Sequence, residues 1–199
     1  PTRRSSDLID RAAGVELREV LVPTMAPAHL ERATSEASRG AAAGLSALGV
    51  GAGTGKLTID EHRAIDVELN AAFARGLAAA GVPHLAFLSA VGADPTAKTT
   101  GSGAAGMARY ARVKGEAEEA VKRDGPAVVS IFRPAMIIGS QHTPRLLEKV
   151  LPVFSFATPA KYRSITVDTI ARAMVATSLR PPTTTAVYHH PEMKRLAAS

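Results

Sequence analysis

The sequence predicts an α/β protein built on a doubly wound parallel sheet, and three observations carry that prediction. Short apolar runs alternate with longer segments of helical periodicity from residue 15 to residue 189. The connections between runs are long enough to hold a helix, which parallel neighbours require. Three runs end at Gly49, Ser89 and Pro134. In a sheet of this kind such strand ends face one crevice, where ligands bind.

In chain order, residues 15–22 (VELREVLV) read as a strand stopped by Pro23. Residues 27–38 read as a short helix. Residues 41–48, small and apolar, read as a buried strand running into the glycine-rich turn 49–55. Asp60 is placed to cap a helix reaching about residue 80, with Ile65, Leu69, Phe73 and Leu77 on its inner face. A strand at 84–89 follows. Next come a polar loop at 99–106 and a helix carrying Tyr110 and Lys114 as far as Lys122. Residues 127–132 form the next strand, closed by Arg133-Pro134. Helices are expected at 143–150 and 167–179, and short strands at 162–165 and 186–189.

Composition narrows the function. At 199 residues with 46% hydrophobic and 21% charged content, the chain has the size and balance of one globular domain. It has no cysteine, which excludes disulfides and thiolate zinc sites. No apolar run approaches the ~18 residues of a membrane span. The net charge of +6 is scattered, aromatics are 4%, and no nucleic-acid motif is present. The expected partner is therefore a small molecule, with neither nucleic acid nor membrane involved, and a cytoplasmic location is expected. His189 and His190 point apart if extended and have no third ligand nearby, so they read as surface histidines and no metal site is expected.

Tyr110 and Lys114 stand four residues apart on a predicted helix, so phenol and ammonium share a face. An adjacent ammonium lowers a phenol's pKa, and such a tyrosine exchanges a proton with a carbonyl oxygen or hydroxyl. Ser89, at the preceding strand end, is placed to hold the same oxygen. Two glycine-rich stretches invite a phosphate reading and fail it. Residues 101–106 (GSGAAG) match a dinucleotide fingerprint, but a polar loop precedes them and Arg133 stands where an acid is needed. Residues 49–56 miss the P-loop spacing at Val50 and Leu57.

With Ser89, Tyr110-x-x-x-Lys114 and Arg133-Pro134 in this order, the chain resembles the short-chain dehydrogenase/reductase superfamily. The stretches FLSAVGADP (87–95), YARVKGEAEEAV (110–121) and FRPAMIIG (132–139) are similar to its atypical members of the human Tat-interacting protein type, whose bacterial relatives are NAD(P)-binding oxidoreductases. The turn at 47–51 and Ile65-Asp66 fit as well. The resemblance implies a Rossmann domain holding NADP or NAD, with NADP favoured. Tyr110 would be the general acid/base, and Lys114 would bind the nicotinamide ribose and tune that tyrosine. Gly49 and Val50 would lie on the adenosine side, and Pro134 and Ala135 would line the nicotinamide. The resemblance puts the active serine at Ser89 or at the next positions, here Ala90 and Val91.

The same resemblance implies a first strand, a glycine-rich turn and a helix ahead of residue 15, which the sequence does not contain. Residues 1–8 (PTRRSSDL) match the translation of a common sequencing adapter and are expected to be non-native. Residues 9–199 are then a partial Rossmann domain lacking its first βαβ unit, and this length alone is expected to be inactive and to bind dinucleotide weakly. Two functions follow: an NAD(P)-dependent oxidoreductase, or a dinucleotide-sensing or protein-interaction domain without turnover.

Overall fold

The computed structural model describes residues 18–51, 54, 57–99, 105–139 and 159–199. Helix α1 (Pro27–Ala37) opens with proline, whose missing N–H and fixed φ cost nothing in a first turn. Strand β1 (Gly44–Ser46) follows. Helix α2 runs without a break through an α-helical turn (Ile59–Arg63), a π-helical segment (Ala64–Leu69) and a second α-helical segment (Asn70–Ala79). After it come β2 (His84–Leu88), α3 (Ala105–Asp124) and β3 (Val128–Phe132). A small parallel pair joins β4 (Ile137–Ile138) to β5 (Ile165–Thr166), with a 3-10 turn (Ala160–Tyr162) between them in sequence. The described chain ends with α4 (Val167–Leu179), β6 (Ala186–Tyr188) and α5 (His190–Ala197).

The main sheet has the order β1-β2-β3-β6, and every pair is parallel. Its central strands are apolar on both faces, as a sheet covered on two sides requires. On one face Leu85, Phe87, Val129 and Ile131 pack against Ala74 and Leu77 of α2 and Ala117 and Val121 of α3. On the other, Ala86 and Phe132 meet Ile170, Ala173 and Met174 of α4 and Met193 of α5. Each fully buried side chain of Leu or Phe size contributes about 1.5–3 kcal/mol. The fold is the expected α/β, doubly wound parallel sheet.

Five details differ from the sequence reading. Residues 18–22 are not a strand: they pair with nothing among the described residues, and Leu21 is 83% exposed. Residues 15–17 of that expected strand lie outside the described residues, as do residues 1–8 and the expected helix 143–150. The cap of α2 is Thr58, not Asp60; its hydroxyl accepts from the Glu61 N–H while the Glu61 carboxylate accepts from the Thr58 N–H. The strand expected at 162–165 is the pair Ile165–Thr166, because Ala160–Tyr162 turns as a 3-10 helix first. Of the loop expected at 99–106, Ala105 and Gly106 belong to α3, and residues 100–104 lie outside the described residues. His189 and His190 start α5 and are half-buried rather than surface groups.

The inner face of α2 is also partly polar. Leu69 and Leu77 are buried, but His62, Asp66 and Asn70 are buried beside them, while Ile65 stays half-exposed. The spacing i, i+4, i+8 lines these three polar groups along the end of β1. The π-helical segment contains Asp66, and such irregularities are enriched at functional sites.

Candidate functional site

The carboxyl ends of β1, β2 and β3 open on one side of the sheet, and α2 and α3 bring polar side chains to that edge. Asn70 ties α2 to the loop after β1: its amide donates to the Leu48 carbonyl (3.2 Å) and its oxygen accepts from the Ser46 hydroxyl (2.6 Å). One turn earlier, Asp66 accepts from the Val50 N–H (3.1 Å) and pairs with the Lys114 ammonium of α3 (2.5 Å). Both side chains of this pair are buried. Gly49 lies directly over it. A Cβ there would stand 2.7 Å from Asp66 Oδ1 and 3.1 Å from Lys114 Nζ, so only glycine leaves the pair closed.

Tyr110 sits one turn before Lys114 and forms part of the wall of an open cleft of 920 Å³, with Thr54, Val91, Gly92, Met107 and Tyr162 among the other lining residues. The Lys114 ammonium is 5.8 Å from its ring centroid. The buried His62 ring stacks on the Tyr110 ring, with centroids 5.9 Å apart at 21°. Burial pushes the Tyr110 phenol up to about 12, and the Asp66 charge acts in the same direction. That reverses the expected lowering by lysine. Burial is the larger cause, and the Lys114 ammonium is engaged by Asp66. His62 is held below the ordinary histidine range, first by burial and then by the Lys114 and Arg109 charges, against the pull of Asp66 in the other direction.

Ser89 is placed elsewhere. It is buried, and its hydroxyl donates to Glu118 Oε1 (2.5 Å), one turn beyond Lys114 on α3. Glu118 also receives the Arg133 guanidinium in a two-point contact at 2.8 and 2.5 Å. This triad fastens α3 to the ends of β2 and β3. Ala90 is buried too, and the position after β2 that lines the cleft is the apolar Val91. Pro134 is buried and its carbonyl accepts from the Val91 N–H (2.8 Å), while Ala135 is half-buried beyond it.

The structure therefore brings together Tyr110, Lys114, Gly49 and Val50, and sets Ser89 apart from them. Asp66, His62 and Glu118 had not been singled out as site residues. Their signal was present: Glu118 stands four residues after Lys114, and His62 and Asp66 are polar groups at helical spacing from each other on a helix expected to pack inward.

Among the described residues no group of three candidate metal ligands forms, and no helix is long and apolar enough to cross a membrane. The room beside Tyr110 and the remaining N–H donors of Lys114 suit the nicotinamide end of a dinucleotide. The N-termini of α2 and α4 do not suit its phosphates, because each is closed by a threonine cap and carries acidic residues in its first turn.

No family profile and no curated protein matches the chain. Solved structures do. The chain is similar to the dTDP-4-dehydrorhamnose reductase of Bacillus anthracis in complex with NADP, at 11% identity and a TM-score of 0.60 over 85% of this chain and 62% of that one. It is similar to MoeE5 in complex with UDP-glucose and NAD, at 12% identity and a TM-score of 0.57 over 83% and 64%. It is similar also to the Bordetella bronchiseptica enzyme WbmG in complex with NAD and UDP, at 15% identity and a TM-score of 0.56 over 90% and 59%. This chain has the Rossmann fold. It spans less than two thirds of the length of these structures.

Proposed function

We propose that the full-length protein is an NAD(P)-dependent oxidoreductase of the atypical short-chain dehydrogenase/reductase type, with Tyr110 exchanging a proton with the oxygen of a small carbonyl or alcohol substrate. The observation that supports this most is the meeting of Tyr110, Lys114 and the Gly49–Val50 turn at the carboxyl ends of parallel strands, beside a cleft with room for a substrate. The solved structures of the same fold, which hold NAD or NADP, agree with it. A bound nicotinamide would supply or accept the hydride.

The rest falls to the chain. A phenol held at about 12 is protonated at neutral pH, so Tyr110 is a proton donor ready for an oxygen that gains charge. Lys114, fixed by Asp66, lies buried one turn behind Tyr110 with further N–H donors beyond that contact. Val91 and Met107 give the cleft an apolar wall beside Tyr110. In this reading Ser89 is a structural anchor, and the oxygen is held by Tyr110 alone among the three residues of the sequence motif. Pro134 and Ala135 keep their proposed place beside the nicotinamide.

The test is consumption of NADPH and NADH by the purified full-length protein across a broad panel of aldehydes and ketones. Steady turnover with one of them supports the enzyme. Tight cofactor binding with no turnover anywhere in the panel would favour a dinucleotide-sensing domain instead.

A further inference from the structure

We propose that Arg109 selects an anionic substrate: its guanidinium, in the wall of the cleft beside Tyr110, takes a carboxylate or phosphate group carried by the carbonyl or alcohol compound that reacts there. This rests on the reading of Tyr110 given above and names the substrate class for it.

Placement carries the inference. Arg109 and Tyr110 are consecutive residues of α3, and both line the 920 Å³ cleft. Arg109 Nη2 donates to the Thr54 carbonyl (3.1 Å), and Thr54 lines the same cleft, so the guanidinium is held at its wall. That bond uses one of the several N–H donors of the guanidinium fork. The surrounding wall is small or apolar, with Gly51, Val91, Gly92, Met107 and Ala108, and Arg109 is the one charged group lining the cleft among the described residues.

The cation is also unmatched. On the same helix Arg112 pairs with Glu116, and Arg123 with Asp124. Arg109 forms no ion pair among the described residues; its hydrogen bond goes to a neutral carbonyl. The helix offers it no acid, because Ala105, Gly106, Arg112 and Val113 stand three and four residues away. Asp66, the buried carboxylate where α2 meets α3, is engaged by Lys114 and the Val50 N–H. A guanidinium meets an oxyanion at two points, with charge-assisted bonds stronger than those to a carbonyl or to water. A cleft of this size holds a compound long enough to place its carbonyl at Tyr110 and its anionic end at Arg109.

The test compares matched carbonyl compounds as substrates of the full-length protein: para-carboxybenzaldehyde against its methyl ester, and para-formylphenyl phosphate against para-anisaldehyde. The readout is the ratio of kcat/KM for the anionic member to that for its neutral partner. Wild type is expected to favour the anionic member in at least one pair, and the pair concerned tells a carboxylate site from a phosphate site. Arg109→Met should lower that ratio by about 10–100-fold. Arg109→Lys, which keeps the charge without the fork, should lower it less. A residue that only holds the Thr54 loop would lower both members alike and leave the ratio where it was. An unmoved ratio in folded Arg109→Met therefore overturns the proposal. So does a wild type that favours the anionic member of neither pair, a result that needs no variant to fold. If neither pair is turned over, calorimetry with benzoate and with phenyl phosphate, in the presence of NADP, decides the matter. Binding of either probe that is lost in Arg109→Met supports the anion site. Binding of neither probe to wild type, or equal binding to the variant, overturns it. That readout needs no turnover, so failure of the anion site and failure of the enzyme reading in the broad carbonyl panel are separate results.

Discussion

Gly115→Ala should loosen the joint that sets α3 over the sheet. Gly115 follows Lys114 directly, and a Cβ on it would stand 2.2 Å from the Pro95 nitrogen and 2.4 Å from the Asp94 carbonyl carbon. These are backbone atoms and cannot swing aside as a side-chain tip can. The loop they belong to is pinned at both ends of its first half: the Asp94 N–H donates to the Ala111 carbonyl (2.9 Å) and the Val91 N–H to that of Pro134 (2.8 Å). Admitting the methyl requires α3 and this loop to separate by about an ångström, in an interior packed too densely to absorb it. Overpacking of this kind costs about 1–3 kcal/mol, and the loss of one or both loop hydrogen bonds adds about 1 kcal/mol each. Alanine's better helix propensity returns about 1 kcal/mol. The net loss is about 2 kcal/mol, or a thermal midpoint lower by about 4–8 °C for a domain of this size. Gly106→Ala on the same helix is the control, since its Cβ would meet nothing within 4 Å. Its midpoint should be unchanged or slightly higher. Differential scanning calorimetry decides the matter, and a Gly115→Ala protein as stable as wild type would refute this account of how α3 is seated.

Glu118→Leu should destabilise by about 2–3 kcal/mol in urea unfolding, because it leaves the Arg133 guanidinium and the Ser89 hydroxyl without their shared partner. Ser89→Ala removes one hydrogen bond from the same group and should cost about 1 kcal/mol. The pH dependence of stability has a predictable window. His62, His84 and His190 are all held below 6.5 by burial, so below that pH the unfolded chain takes up protons that the folded chain refuses. Stability is full above about pH 6.5 and is lost as the pH falls toward the lowered folded values. The paired carboxylates, such as Glu116 with its pKa lowered from 4.5, join only at more acid pH. His62→Phe should keep the stacking on Tyr110 while flattening the fall of thermal midpoint between pH 6.5 and 4.5.

The fold was legible where burial on two faces writes itself into the sequence. Residues 84–88 and 128–132 are apolar almost throughout, and they are the two central strands. Residues 18–22 carry a similar apolar tendency but lie largely exposed, and no strand among the described residues pairs with them, so strand propensity alone does not make them one. In the site, Tyr110 and Lys114 were readable because both lie one turn apart on a single helix. Their electrostatics were not. The rise of the Tyr110 phenol comes first from burial and second from Asp66, which lies 48 residues from Lys114 in sequence and is joined to it only by the packing of α2 on α3. Ser89 illustrates the converse: its position at a strand end was correct, but Glu118 determines where its hydroxyl points. Polar residues at helical spacing on a buried face, here His62, Asp66 and Asn70, were the readable trace of that hidden half.

The most direct measurement of the central claim is the turnover of Tyr110→Phe in the full-length protein, with cofactor affinity determined alongside by calorimetry. If Tyr110 donates the proton, kcat falls by about 10²–10⁴-fold while the dissociation constant for the dinucleotide stays within a few-fold of wild type. A Tyr110→Phe protein that reduces the same carbonyl compound at the wild-type rate would contradict the account.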